Sequence, residues 1–121
     1  MNDTLNYEER MRGVCAAIER VGKKYAEARA LAWLLTEQRK VVLANEMRKP
    51  EDGSIAEREM KARSSDVYYQ HLVATSKAIH AELSLRAELD KWQASFEALR
   101  SLSSRDTARM RIDYELSKQG P

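Results

Sequence analysis

From Ser54 to Leu102 the chain contains neither glycine nor proline, and before Pro50 only Gly13 and Gly22 interrupt it. Runs so free of breakers, with 7% aromatic residues and few β-branched stretches, argue for helix over sheet. The first half adds a period. Met11, Val14, Ile18, Val21, Tyr25, Ala28, Ala32 and Leu35 follow one another in steps of three and four, the seam of a helix that pairs along its length. The expected class is all-α.

The boundaries follow from local chemistry. One long helix is expected over residues 4–48, with Asn2, Asp3 and Thr4 as N-caps and Glu8 and Glu9 close behind. Gly22 weakens it and is a candidate bend. Pro50 disfavours helical geometry at Lys49, and Asp52-Gly53 is a turn signal, so residues 49–53 are read as the turn. Ser54 then caps a new helix, and Glu57 stands at capping-box spacing. Helix continues over residues 54–101, with a break at 64–66 where Ser65 or Asp66 can cap a restart. Its buried face is read as Tyr68, Leu72, Thr75, Ile79 and Leu83, then Leu85, Leu89, Trp92, Phe96 and Leu99. Ser101-Leu102-Ser103-Ser104 marks a second weak point before a short C-terminal helix over 104–116. A Gly-Pro tail follows that is expected to fray.

Long helices joined by a short turn make an elongated antiparallel helical hairpin, read as a single helical domain over residues 1–121. The apolar stripe widens at Leu31, Trp33, Leu34 and Leu35 and again at Val41, Val42 and Leu43. A helix apolar on more than one side must meet more than one neighbour. The hairpin is therefore expected to self-associate into a homo-oligomer, with Leu31, Trp33, Leu34, Trp92 and Phe96 as interface anchors.

Little supports catalysis. His71 and His80 lie nine residues apart, off the spacing that pairs metal ligands on one helical face. Gly-rich phosphate loops and nucleophile elbows are missing, and carboxylates alternate with bases as on a solvated helix face. The single cysteine, Cys15, excludes an intrachain disulfide and is read as a small buried hydrophobe. No enzyme activity, metal or cofactor is expected. Neither a signal peptide nor a transmembrane segment is evident, so the expectation is a cytoplasmic protein with no membrane partner.

Charge is more informative. Lys and Arg total 21 against 19 acids, a balance that lowers the prior for a nucleic-acid binder, although a symmetric oligomer can stack modest patches. Arg39, Lys40, Arg48 and Lys49 approach the turn from one side and Arg58, Lys61 and Arg63 leave it on the other. A hairpin gathers all seven at one end. Glu37, Glu46, Glu51, Asp52, Glu57 and Glu59 share the segment, so a salt-bridged surface competes with an anion-binding one. Arg48 and Lys49 also suit a helix C-terminus without any ligand. Arg39 differs, because the heptad continued from Leu35 places it where an apolar residue belongs, and a buried arginine needs a partner. Arg100, Arg105, Arg109 and Arg111, offset by Asp106, Asp113 and Glu115, form a second basic group. It is either a further anion contact or a tail that pairs with a neighbouring subunit. Trp33, Trp92, Tyr68 and Tyr69 offer stacking surfaces for bases but fit core or interface positions better.

The order of these features resembles the UvsY-type recombination mediators of T-even phages across about residues 24–111. The likeness lies in Glu37-Gln38-Arg39-Lys40-Val41 with Leu43, in Glu59-Met60-Lys61, and in Trp92 with Arg100-Ser101. The resemblance implies a ring-like helical oligomer that binds single-stranded DNA, helps displace the single-strand-binding protein and loads a strand-exchange recombinase in a bacterial host cell. It places the strand-binding cations on the helix carrying Arg39 and Lys40. The chain departs from that pattern at Ala44 and Glu46, where family members carry further cations. The expected function is accordingly an oligomeric single-stranded-DNA-binding accessory protein of phage-type recombination. The alternative is a non-catalytic helical structural or adaptor protein.

Overall fold

The computed structural model describes residues 3–49 and 52–119, with side chains from Asn6 onward. The caps expected from Asn2, Asp3 and Thr4, Pro50 and Glu51 of the turn, and the Gly120-Pro121 tail lie outside the described residues or side chains. Three helices and no strand make up the described residues: α1 (Asp3–Arg48), α2 (Ile55–Arg63) and α3 (Asp66–Lys118). The class is all-α, and α1 and α3 pack as a helical hairpin.

Each junction has a local cause. Gly53, at φ 114°, occupies the left-handed region open to glycine, and a side chain there would also meet the Glu57 carboxylate. Ser54 is extended and its hydroxyl accepts from the Glu57 amide at 3.2 Å, which caps α2 as the sequence predicts. Two serines then divide α2 from α3. The Ser64 hydroxyl donates to the Met60 carbonyl at 2.6 Å and closes α2. The Ser65 hydroxyl donates to Ala62 at 2.7 Å and accepts from the Tyr68 amide at 3.2 Å, which opens α3.

One expected boundary is absent. Instead of ending near residue 101 and restarting as a separate C-terminal helix over 104–116, α3 runs unbroken to Lys118. The Ser101–Ser104 stretch contains no glycine or proline, and the Thr107 hydroxyl bonds back to the Ser103 carbonyl at 2.9 Å within regular helix. Likewise α1 passes Gly22 without a break.

The chain forms two compact units. The first joins α1 up to Gly22 with α3 from Ala87 onward. Val14, Ala17 and Val21 are buried there, and Leu89, Trp92, Phe96 and Leu99 are half-buried on α3. Cys15 is exposed, correcting its expected burial, because it sits about 100° round the helix from Val14.

The second unit, Lys23–Arg86, holds the rest of α1, all of α2 and the start of α3. Its buried apolar side chains are Ala32, Ala62, Tyr68 and Ala78, with Thr75 and Glu46 as buried polar residues. The His71 ring Nε2 lies 2.8 Å from the Leu35 carbonyl, so it donates to α1 and fixes the register of the two helices. Leu72, Ile79 and Leu83 were expected on the buried face but are exposed. Tyr68 and Thr75 are buried as expected, and His71, Ala78 and Glu82 complete the inner line.

Four of the seven buried apolar residues among those described are alanines. Small side chains let helix backbones approach closely, yet each contributes less than the ~1.5–3 kcal/mol of a fully buried Val, Leu or Phe. Several large apolar side chains lie outside, with Trp33 64%, Val41 58% and Leu83 57% exposed.

Three substitutions probe this packing. A32L forces extra methylenes into the seam and should cost about 1–3 kcal/mol, whereas A30L on the exposed flank should leave stability nearly unchanged. G22A, with nothing within 4 Å of the added methyl, should stabilise by about 0.5–1 kcal/mol. Urea unfolding followed by helicity measures all three.

Candidate nucleic-acid interface

In the second unit a second stripe runs beside the buried seam of α1. Tyr25, Arg29, Trp33, Thr36, Lys40 and Leu43 recur in steps of four, four, three, four and three, so they share one flank over about 27 Å. Three open clefts follow that flank. The first is bounded by Tyr25, Ala26, Arg29, Ala30 and Trp33. The next lies between α1 and α3, lined by Thr36 and Arg39 together with Leu72, Thr75, Ser76 and Ile79. The third, a groove of about 500 Å³, is lined by Thr36, Glu37, Arg39, Lys40, Leu43 and Arg63 of α2. Thr36 and Arg39 belong to both of the last two.

The seven expected cations have different fates. Arg39, Lys40 and Arg63 meet in the groove. Arg48 and Lys61 are exposed and do not line it. Arg58 is half-buried on α2. Lys49 is committed to its own helix, its ammonium 2.8 Å from the Glu46 carboxylate. Arg63 contacts Glu59 through two nitrogens, at 2.8 and 3.1 Å. That hydrogen bond, followed by the carboxylate's charge, raises the Arg63 pKa above its ordinary value. The guanidinium therefore stays charged, with half of its side chain still exposed. Among the described residues Arg39, Lys40, Arg48 and Lys61 form no ion pair. The salt-bridged surface is thus realised in part, and the first basic pair stays outside it.

Arg39 does not occupy the buried seam position that the heptad predicts. Arg39 is exposed, because its position lies where the seam opens between the two clefts. The polar residue buried in the seam is Glu46, only 5% exposed, two steps further on through half-buried Val42. An isolated buried carboxylate is expensive, and Lys49 one turn later neutralises it with an ammonium that stays largely in water.

The proposed interface anchors also divide. Leu31, Trp33 and Leu34 are 51%, 64% and 45% exposed, and Trp33 belongs to the cationic flank. Trp92 and Phe96 are half-buried in the first unit, with the Lys91 ammonium 5.2 Å from the Trp92 ring centre. Sequence reasoning missed Tyr25, Arg29 and Thr36 as site residues. The signal was present as a second three-four repeat, masked by the stronger apolar one. No group of three or more side chains suited to a metal, and no helix long and apolar enough to cross a membrane, occurs among the described residues. No protein-family model, curated protein or solved structure matches the chain.

The Glu46–Lys49 pair yields a direct comparison. K49A leaves a buried carboxylate without its counter-charge and should cost about 1–3 kcal/mol. R48A, one residue away and exposed, should stay within about 0.5 kcal/mol. Denaturant midpoints of the two variants measured side by side check the difference.

Proposed function

We propose that the chain is a single-stranded-DNA-binding accessory protein that grips the strand along the Tyr25–Leu43 flank of α1. The observation that carries the reading is the meeting of Arg39, Lys40 and Arg63 in one open groove. The first two have no ion pair among the described residues, and Trp33 stands exposed two turns before Lys40. Cations spaced along a groove neutralise a phosphate backbone, and an exposed indole gives a base a surface to stack on. Double-helical DNA fits less well, since no base is free to reach the indole.

The chemistry supports recognition of backbone over sequence. Arg29, Arg39, Lys40 and Arg63 offer phosphate contacts, while Glu37 within the groove repels the strand and limits affinity. The likeness at Glu37–Val41 and Glu59–Lys61 favours a mediator of the UvsY type, working with a strand-exchange recombinase and a single-strand-binding protein. We place the chain in that role as an oligomer. The rival, a structural or adaptor protein, draws on the exposed apolar side chains Leu31, Leu34 and Val41, which any assembly would use.

Salt dependence separates the two. Four phosphate contacts predict a slope of log K against log salt of roughly −2.8, at about −0.7 per contact on a single strand. Replacing Arg39 and Lys40 with alanine should weaken binding and flatten the slope by about 1.4, with helicity unchanged. E37Q should tighten binding. Fluorescence anisotropy of a labelled oligonucleotide at several salt concentrations reads all of these, and absence of binding at low salt overturns the assignment.

A further inference from the structure

The basic flank of α1 has a neighbour on α3 that phosphate contacts do not explain. Tyr69, Leu72, Ser76, Ile79 and Leu83 recur in steps of three, four, three and four, so they share one flank of that helix. All five are exposed, the four large ones by 38–60%. From Val67 to Leu85 the acids and bases of α3 are Lys77 and Glu82. Lys77 sits about 120° round the helix from the middle of the flank, and Glu82 belongs to the inner line. The flank itself is uncharged.

It lies beside the cations of α1. Leu72, Ser76 and Ile79 line a cleft of about 290 Å³ whose α1 wall is Thr36 and Arg39. Those two residues also line the groove that holds Lys40 and Arg63. One face of the α1–α3 pair thus carries a cationic edge on α1 and an uncharged, largely apolar edge on α3. Leu31, Leu34 and Val41, also exposed on α1, line none of the three clefts.

We propose that the α3 flank is the base-contacting edge of the strand site. The inference rests on the strand-binding reading and adds how the strand lies. Its phosphates run over Arg39 and Lys40, its bases lie across Leu72, Ser76 and Ile79, and Tyr69 and Leu83 extend the edge. A single strand has the same division, an anionic backbone on one side and bases with stacking faces on the other. An apolar partner helix would cover the α3 edge and leave the cationic one unanswered, whereas each nucleotide answers both.

The cleft also sets how a base is read. The Thr36 hydroxyl donates to the Ala32 carbonyl at 2.7 Å, and the Thr75 hydroxyl to the His71 carbonyl at 2.8 Å. Both donors are used within their own helices, so Arg39 and Ser76 are the lining side chains left to donate to a base edge. Contact is mainly through apolar surface and the Tyr69 ring, which accept any base.

The test compares strands with and without bases on the full chain. L72S/I79S should weaken binding of a thymidine oligonucleotide about five- to tenfold. The slope of log K against log salt should not change, because no phosphate contact is lost. An abasic strand of the same length should bind wild type and L72S/I79S alike. If that variant loses helicity, Y69S/L83S, at the more exposed positions, takes its place in the same comparisons. Irradiating 5-iodouracil in the strand should label Tyr69 of wild type, read by mass spectrometry of the peptides, and this needs no substitution. Wild type that fails to bind at low salt brings down the strand-binding reading, and this inference with it. With binding intact, the base edge alone is overturned by unchanged affinity in the variant, an equal loss on the abasic strand, or labelling confined to α1. A change in the variant's mass by light scattering also overturns it, because the flank then joins copies of the chain.

Discussion

The close approach of α1 and α3 over small side chains governs the rest of the second unit. Ala32 on one helix and Thr75 and Ala78 on the other are small buried side chains, beside the larger Tyr68. An imidazole can then reach across to a backbone carbonyl, as His71 does to Leu35. The same choice of small residues leaves the large ones no place inside. Leu31, Leu34, Val41 and Leu83 stay on the surface, while smaller residues fill the buried positions of the seam.

How much of this the sequence disclosed depends on where size and period agree. On α1 they agree, and every residue of the stripe from Met11 to Leu35 is buried or half-buried. On α3 they disagree. The sequence reading puts Tyr68, Leu72, Thr75, Ile79 and Leu83 on the inner face, whereas the helix turns Tyr68, Thr75 and Ala78 inward and leaves the other three exposed. Hydrophobicity favours Leu72, Ile79 and Leu83, but close packing favours the small Ala78, and packing decides. The serine pair at 64–65 separates helices because its hydroxyls satisfy helix ends. The serines at 101–104 separate nothing, since polarity alone does not break a helix without a partner for the freed amides.

The candidate site was legible at Arg39, Lys40 and Arg63 and misread in its reasons. A heptad extended by count puts Arg39 in the core, yet the core line moves on to Val42 and Glu46, and the arginine is left at an opening. Glu46 read as a departure that weakens a basic surface. In the fold it is an internal group that engages the Lys49 ammonium, so that cation is paired although it stays exposed. Arg29 went unnoticed because a lone cation on a helix reads as solvated until Trp33 and Tyr25 appear beside it.

Near-neutral net charge and a basic groove are compatible because neutralisation on a helix is local. Glu46 holds Lys49 within a turn, and Glu59 pairs with Arg63 while half of that side chain stays exposed, so neutralisation is specific to individual cations and the field that remains is patterned. A groove of three or four cations gives modest affinity to a single copy. Joining two copies raises the effective concentration of the second groove once the first is occupied, provided both can engage one strand. A chain whose charges cancel in sum can thus carry a local basic surface, and an approaching anion meets that surface and not the net charge.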